Sequence, residues 1–387
     1  MIYLLLLIIA LVCSLHFEYA ANITSNKRYV LAPTASLIWC MLLLMFIAVG
    51  GLRDVSIGGD TMQYIRAFRK TPSLPDMSMN FLDSSRYQWL FNFFLSSIKF
   101  ITEDFVIVQI CHVSIVNIII FWFFKSQVPK VAFMCLVFYL ILNYIEFNTE
   151  IMRESIAVCF GLISFVSFKK KKFLLSVSMG LLAFGFHLSA IILILFPLIS
   201  RIRYSKFTIR AFIAIGVCLI VIFPMVSTYT GLIQEFLSDQ SENVGNLYKN
   251  YDSTEIDSSF NLNYYLLLFF KTLLFPAIGL NLLKEKSNRY IGFVLFYSIL
   301  MLMSAYTYGF YRFGNYLAPF YIIFLSNYCY AIIKRFRDPK PNRIVLASVF
   351  VILVLYMFQG YQLKKAPDGS LLYERYIPYK TVIYNYF

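Results

Sequence analysis

The residues best suited to chemistry fall in three places. The first is Gly50-Gly51-Leu52-Arg53-Asp54, followed by Gly58-Gly59-Asp60-Thr61 and Tyr64. Paired glycines let a backbone bend and approach a ligand closely. Consecutive N–H groups in such a bend form an anion-binding concavity, and Arg53 adds a bidentate fork for phosphate or carboxylate. The second place holds Glu146, Glu150, Arg153 and Glu154. Spacings of three and four put Glu150, Arg153 and Glu154 on one helix face, although a helix-end ion pair accounts for Glu150 and Arg153 equally well. The third is Phe186-His187-Leu188-Ser189-Ala190, where His187 interrupts an apolar run of 28 residues, 173–200. A lone histidine there serves as a base or as an ordinary structural residue. Arg312, flanked by Tyr308, Tyr311 and Tyr316, and the tail residues Glu374, Arg375 and Tyr376 complete the set. Arg312 among tyrosines also suits an interfacial anchor. Arginine forks match phosphate oxygens, aromatic faces stack on sugar rings, and a carboxylate or imidazole takes a proton from a hydroxyl. An anionic head group joined to a sugar is the ligand chemistry these types share.

The elements that must position these residues are apolar. Of 387 residues 60% are hydrophobic and 14% charged, with mean hydropathy +0.70. Soluble domains average about 45–50% apolar and about 25% charged. Long apolar runs cover 2–20, 31–49, 105–124, 129–147, 151–168, 173–200, 208–227, 261–283, 290–306, 313–333 and 344–361. Runs of roughly 20 residues cross a bilayer as helices. The fold class is therefore all-α: a polytopic membrane helical bundle forming a single domain over 1–387, with polar loops at 50–86 and 228–260. The seven cysteines lie singly in apolar runs and the three histidines are scattered. No zinc-type spacing and no nucleotide-binding P-loop is present, so neither metal nor cofactor is expected.

The net charge of +14 does not point to nucleic acid, because most Lys and Arg sit in short loops between spans, where they orient the chain. Placing Lys169–Lys172 inside puts the basic loops 201–210, 284–289 and 334–343 inside too. Two conditions follow. The run 173–200 crosses twice, turning near His187, and 87–101 is re-entrant or interfacial. Short segments interrupted by glycine are how transporters build cavities from broken helices. The result is about twelve spans with both termini outside, a net +17 inside and −3 elsewhere. Under this topology Arg53, Asp60, Glu150, Arg153, His187 and Arg312 all fall on the outer face.

Three stretches resemble the EpsG-like, Wzy-type polysaccharide polymerases of bacterial surface-polymer assembly. Gly51-Leu52-Arg53 with Gly58-Gly59-Asp60-Thr61 and Tyr64 is similar to that family's G-x-R and G-x-D-x-x-x-Y signature. Arg153-Glu154-Ser155-Ile156-Ala157 opens a span ending in a basic block, and Phe186-His187-Leu188-Ser189-Ala190 is similar to F-H-x-S-A. One departure is Arg86-Tyr87-Gln88, where the family often carries a glutamate. The resemblance implies an inner-membrane glycosyltransferase. A growing chain on undecaprenyl diphosphate is transferred to the non-reducing end of an incoming lipid-linked unit. Membrane lipid and a chain-length regulator are the implied partners. Arg53, Arg153, Arg312 and Tyr64 are then expected to bind substrate, and Asp60, Glu150 or His187 to act as the base. Two other readings stay open: a glycosyltransferase using a polyprenyl-phosphate sugar, and a flippase or transporter of lipid-linked oligosaccharide. The first often carries paired acids, but Asp54 and Asp60 form no D-x-D. The second would show internal repeats, and none is seen.

Overall fold

The computed structural model describes residues 2–20, 33–220, 269–283, 289–304, 309–335 and 379–382. The loop expected at 228–260, the run 344–361, Tyr308 and the tail residues Glu374, Arg375 and Tyr376 lie outside the described residues. Contacts group the chain into two units, Met1–Leu193 with Leu325–Phe387, and Ile194–Phe324.

The first unit begins with α1 (Ile2–Cys13), which opens into a wide helical turn over Ser14–Ala20, and α2 (Pro33–Gly51). There follow α3 (Thr61–Lys70), a tight turn at Leu74–Asp76, α4 (Met79–Ser84), α5 (Trp89–Lys99), α6 (Phe105–Gln127), α7 (Ala132–Leu142), α8 (Tyr144–Thr149), α9 (Met152–Lys169) and α10 (Phe173–Phe186). A 3-10 run over Leu188–Leu195 follows α10. Among the described residues there is no strand; one isolated antiparallel bridge joins Arg53 to Thr381.

Two described helices, α2 and α6, are long and apolar enough to cross a membrane. They approach closely because small residues face the contact. A Cβ added to Gly51 would lie 3.1 Å from the Ile110 Cα. Several of the other apolar runs are divided. The run 129–147 breaks at Asn143 (φ −133°, ψ −15°), and 173–200 breaks at His187, which is extended (φ −155°, ψ 132°). Each of these two runs is therefore built from two helical pieces, and the division of 173–200 falls at the expected turn. At 1.5 Å per residue the 11-residue α5 is about 17 Å long, too short for a core of about 30 Å.

The stretch 50–86 is more ordered than a loop. α3 buries Thr61, Tyr64, Ile65 and Phe68, the spacing of one helical face. Its last turn is satisfied from α5: Lys99 Nζ donates to the carbonyls of Phe68, Arg69 and Thr71 at 3.3, 2.8 and 2.8 Å. A cation there complements the negative end of the helix. α9 and α10 fold back on one another through 170–172, where Lys171 takes a left-handed conformation (φ 60°). Small residues bring them together, with the Ser164 hydroxyl donating to the Ser176 carbonyl at 2.7 Å.

The second unit contains α11 (Phe196–Ile199), α12 (206–220), a wide turn at Phe270–Leu274 leading into α13 (Phe275–Leu283), α14 (Ile291–Met303) and α15 (Gly309–Arg335). α15 passes into the first unit at Leu325. Its aromatic core stacks Phe293 on Phe320 at 4.2 Å and Tyr297 on Tyr321 at 4.5 Å.

Candidate functional site

The three sequence stretches meet at the N-terminal end of α9. The link from the first is Glu150. Its carboxylate accepts the N–H of Gly59 at 2.7 Å and of Asp60 at 3.0 Å. The glycine-rich bend does form an anion-binding concavity, and the anion it holds is this chain's own carboxylate, 90 residues downstream. Gly58 makes the bend possible. Its φ is +100°, and a Cβ there would meet the Thr61 Oγ1 at 2.7 Å and the Thr149 Cβ at 3.1 Å. Asp60 then starts α3, so the Glu150 charge also lies at the positive end of that helix. Tyr64 completes the joint by donating to the Glu150 carbonyl at 3.1 Å.

Glu150 does not share a helix face with Arg153. It sits in the break between α8 and α9, where Ile151 departs from helical geometry (φ −107°, ψ 50°). Among the described residues Arg153 makes no ion pair. Its Nη1 donates to the Gln88 side-chain carbonyl at 3.0 Å, and its guanidinium carbon lies 4.5 Å from the centroid of the Tyr87 ring. It also bonds the Tyr64 hydroxyl; burial pushes that phenol up to about 12 while Arg153 pulls it down. Arg153 Nε is buried without a hydrogen-bond partner among the described residues.

The third stretch arrives through Glu154, the next residue on α9. His187 Nε2 lies 4.0 Å from Glu154 Oε2, with both side chains buried. The Ser189 N–H donates to His187 Nδ1 at 3.3 Å and the Ser189 hydroxyl lies against the same nitrogen. An accepting Nδ1 assigns the neutral ring's proton to Nε2, facing the carboxylate. Glu154, His187 and Ser189 thus form an ordered carboxylate–imidazole–hydroxyl line. Close packing of α10 on α5 fixes its origin: a Cβ at Gly185 would meet the Trp89 Cζ2 at 3.2 Å and the Leu90 Cβ at 3.3 Å.

Arg53 is placed differently from the open fork expected of it. The side chain has no exposure and turns back on the C-terminal end of α2, with Nη1 donating to the Gly50 carbonyl at 2.6 Å. A cation at a helix C-terminus is favourable there. Its Nε and Nη2 find no hydrogen-bond partner among the described residues. Burial lowers its pKa to about 10, while Tyr3, Tyr144, Glu150 and Tyr379 act in the opposite direction, so it remains a cation near neutral pH. The segment 379–382 closes over it: Asp54 N–H donates to the Lys380 carbonyl at 2.9 Å, Val382 N–H to the Leu52 carbonyl at 3.0 Å and the Tyr379 hydroxyl to the Val49 carbonyl at 2.9 Å. Arg312 belongs to the second unit, half-buried in the first turn of α15. The Asp60 carboxylate is half-buried and accepts from Gln63 Nε2 at 3.1 Å.

Sequence reasoning missed the partners of these groups: Glu154 as the acid beside His187, and Tyr87, Gln88 and Gln63 around Arg153 and Asp60. The signal for Glu154 was its position beside Arg153. For Tyr87 and Gln88 no local pattern marks a contact 65 residues away.

Comparison with known families matches residues 36–381 to a model described as the EpsG family. The matched stretch starts within α2, contains all three motif stretches and ends in the segment that covers Arg53. No curated protein and no solved structure gives a match.

Proposed function

The chain belongs to the EpsG family, and from that premise we propose that it is a polysaccharide polymerase. It joins oligosaccharide repeat units carried on undecaprenyl diphosphate, at the outer face of the cytoplasmic membrane. The observation that supports this most is the convergence at the start of α9. There a guanidinium held by neutral groups, Arg153, is the immediate neighbour of a carboxylate, Glu154, that faces His187. That pairing offers cation for a leaving diphosphate and base for an attacking hydroxyl within one turn of helix.

In the proposed step an acceptor sugar hydroxyl attacks the anomeric carbon of the growing chain. A new C–O bond forms, the bond to the lipid diphosphate breaks, and its electron pair stays on the diphosphate. The hydroxyl proton goes to His187 Nδ1, in the place where the Ser189 hydroxyl now lies, and Glu154 stabilises the imidazolium from the other side. Arg153 neutralises charge growing on the diphosphate. Tyr64 orients Arg153. Glu150 holds the 58–61 bend and so sets the position of Asp60, the second carboxylate at the site. Arg53 adds positive charge near Glu150, and Arg312 is assigned to a diphosphate.

The apolar helices and the composition make the chain an integral membrane protein. The outward orientation supports the choice of donor: an enzyme outside the cell has no nucleotide sugar, so its donor carries its own leaving group. Deleting the gene tests the reading. Cells should make surface polysaccharide with a single repeat unit, seen on gels and by mass analysis of lipid-linked intermediates. A normal long-chain ladder rejects the polymerase reading, and lipid-linked repeats trapped on the inner face mark a flippase instead.

A further inference from the structure

Two arginines share one aromatic ring. The guanidinium carbon of Arg153 lies 4.5 Å from the Tyr87 centroid and that of Arg86 lies 4.8 Å from it. Their separation cannot exceed the sum of those distances. Tyr87 is fixed between them: it is buried, stacks on Tyr64 and accepts from Arg86 Nη2 at 2.6 Å through its hydroxyl. What holds the cations is neutral. Arg86 Nη2 donates to the Gln63 side-chain carbonyl at 2.8 Å, and Arg153 Nη1 donates to that of Gln88. Among the described residues neither arginine makes an ion pair. Glutamate at 63 or 88 would satisfy the same donors and cancel the charge; glutamine leaves it in place. Two like charges no more than about 9 Å apart repel, and a multiply charged anion relieves that repulsion.

An apolar track starts at the same point. Trp89 and Phe93 on α5 are exposed, as are Phe100 and Ile101 at its end. Trp89 and Phe93 are one helical turn apart on the same side, leading away from Arg86.

We propose that Arg86 and Arg153 form a two-armed site, centred on Tyr87, for the diphosphate of a polyprenyl diphosphate, with Arg86 the exposed outer arm and the isoprenoid tail along α5. The proposal rests on the polymerase reading for why such a lipid is present. The site itself is tested by binding alone.

The purified full chain in phosphatidylcholine nanodiscs is titrated with farnesyl diphosphate, farnesyl monophosphate and inorganic pyrophosphate. Farnesyl diphosphate should bind at least tenfold tighter than either of the others. Arg86→Gln and Arg153→Gln should each weaken it roughly 10- to 100-fold and remove the preference for diphosphate over monophosphate. Gln88→Glu keeps the hydrogen bond to Arg153 and neutralises its charge, so it should weaken binding similarly in a folded protein. Wild-type affinity for farnesyl diphosphate in both Arg86→Gln and Gln88→Glu overturns the two-armed site. Pyrophosphate binding as tightly as farnesyl diphosphate overturns the lipid assignment. A chain that binds as described, in cells whose ladder survives deletion of the gene, refutes the polymerase reading and leaves this site standing.

Discussion

Replacing Glu150 by glutamine keeps shape and removes a charge at the joint between the 58–61 bend and α9. The carboxylate accepts two backbone N–H groups, from Gly59 at 2.7 Å and Asp60 at 3.0 Å. A glutamine accepts with its oxygen only, and its amide group faces the second N–H donor to donor. A hydrogen bond to a charged acceptor contributes about 1.5–3 kcal/mol. An anion at the start of a helix such as α3 adds about 0.3–1 kcal/mol. Because Gly59 is exposed and Asp60 half-buried, the low end applies, about 2 kcal/mol in all, or roughly 30-fold in a local opening equilibrium. Hydrogen exchange on the protein in nanodiscs reads this directly. The Gly59 and Asp60 amides should exchange about 30-fold faster in Glu150→Gln, and faster still in Glu150→Ala, while α6 amides stay unchanged. Unchanged exchange at both amides in Glu150→Gln would refute the reasoning that this carboxylate pins the bend.

Four further outcomes are expected. Gly58→Ala forces a φ of +100° on a residue with a Cβ and crowds Thr61; it should cost at least about 1–2 kcal/mol, seen as the same loss of exchange protection at 59–60. His187→Ala should lower the polymerisation rate about 10²- to 10⁴-fold, the range for a lost general base, with membrane levels of the protein unchanged; Glu154→Gln should lower it less, since it leaves the imidazole in place. Arg153→Lys keeps charge and loses the fork, costing about 2–4 kcal/mol of transition-state stabilisation, roughly 30- to 1000-fold; full activity removes Arg153 from the diphosphate. In a background without native cysteines, Ser56→Cys and Ser73→Cys should react with a membrane-impermeant thiol reagent in intact cells and Ser205→Cys should not; the reverse pattern inverts the topology.

The break at His187 was legible because a Gly-Phe-His interruption with basic loops at both ends leaves few ways to cross a membrane. The bend at 58–60 was legible as an anion site because Gly-Gly-Asp leaves the backbone N–H groups free. Its occupant was not, because Glu150 lies 90 residues away and nothing local ties them. Residue type alone makes Arg53 a ligand fork. Its burial depends on 379–382 returning to Leu52 and Asp54, a pairing across more than 300 residues. The face of α3 was present in the spacing of Thr61, Tyr64, Ile65 and Phe68, but polar neighbours such as Gln63 and Arg66 made the stretch look like a loop. Apolar runs mark where helices lie, not where Asn143 divides one of them, since a break inside an apolar run changes hydropathy little.

Reconstitution tests the central claim most directly. Lipid-linked repeats extracted from the deletion strain are supplied to the purified chain in proteoliposomes, with no nucleotide sugar added. The account predicts a ladder of lipid-linked oligomers from the wild-type chain, none from His187→Ala and a much weaker one from Arg153→Lys. Repeats that stay at single length with folded wild-type protein, or an equal ladder from His187→Ala, would contradict it.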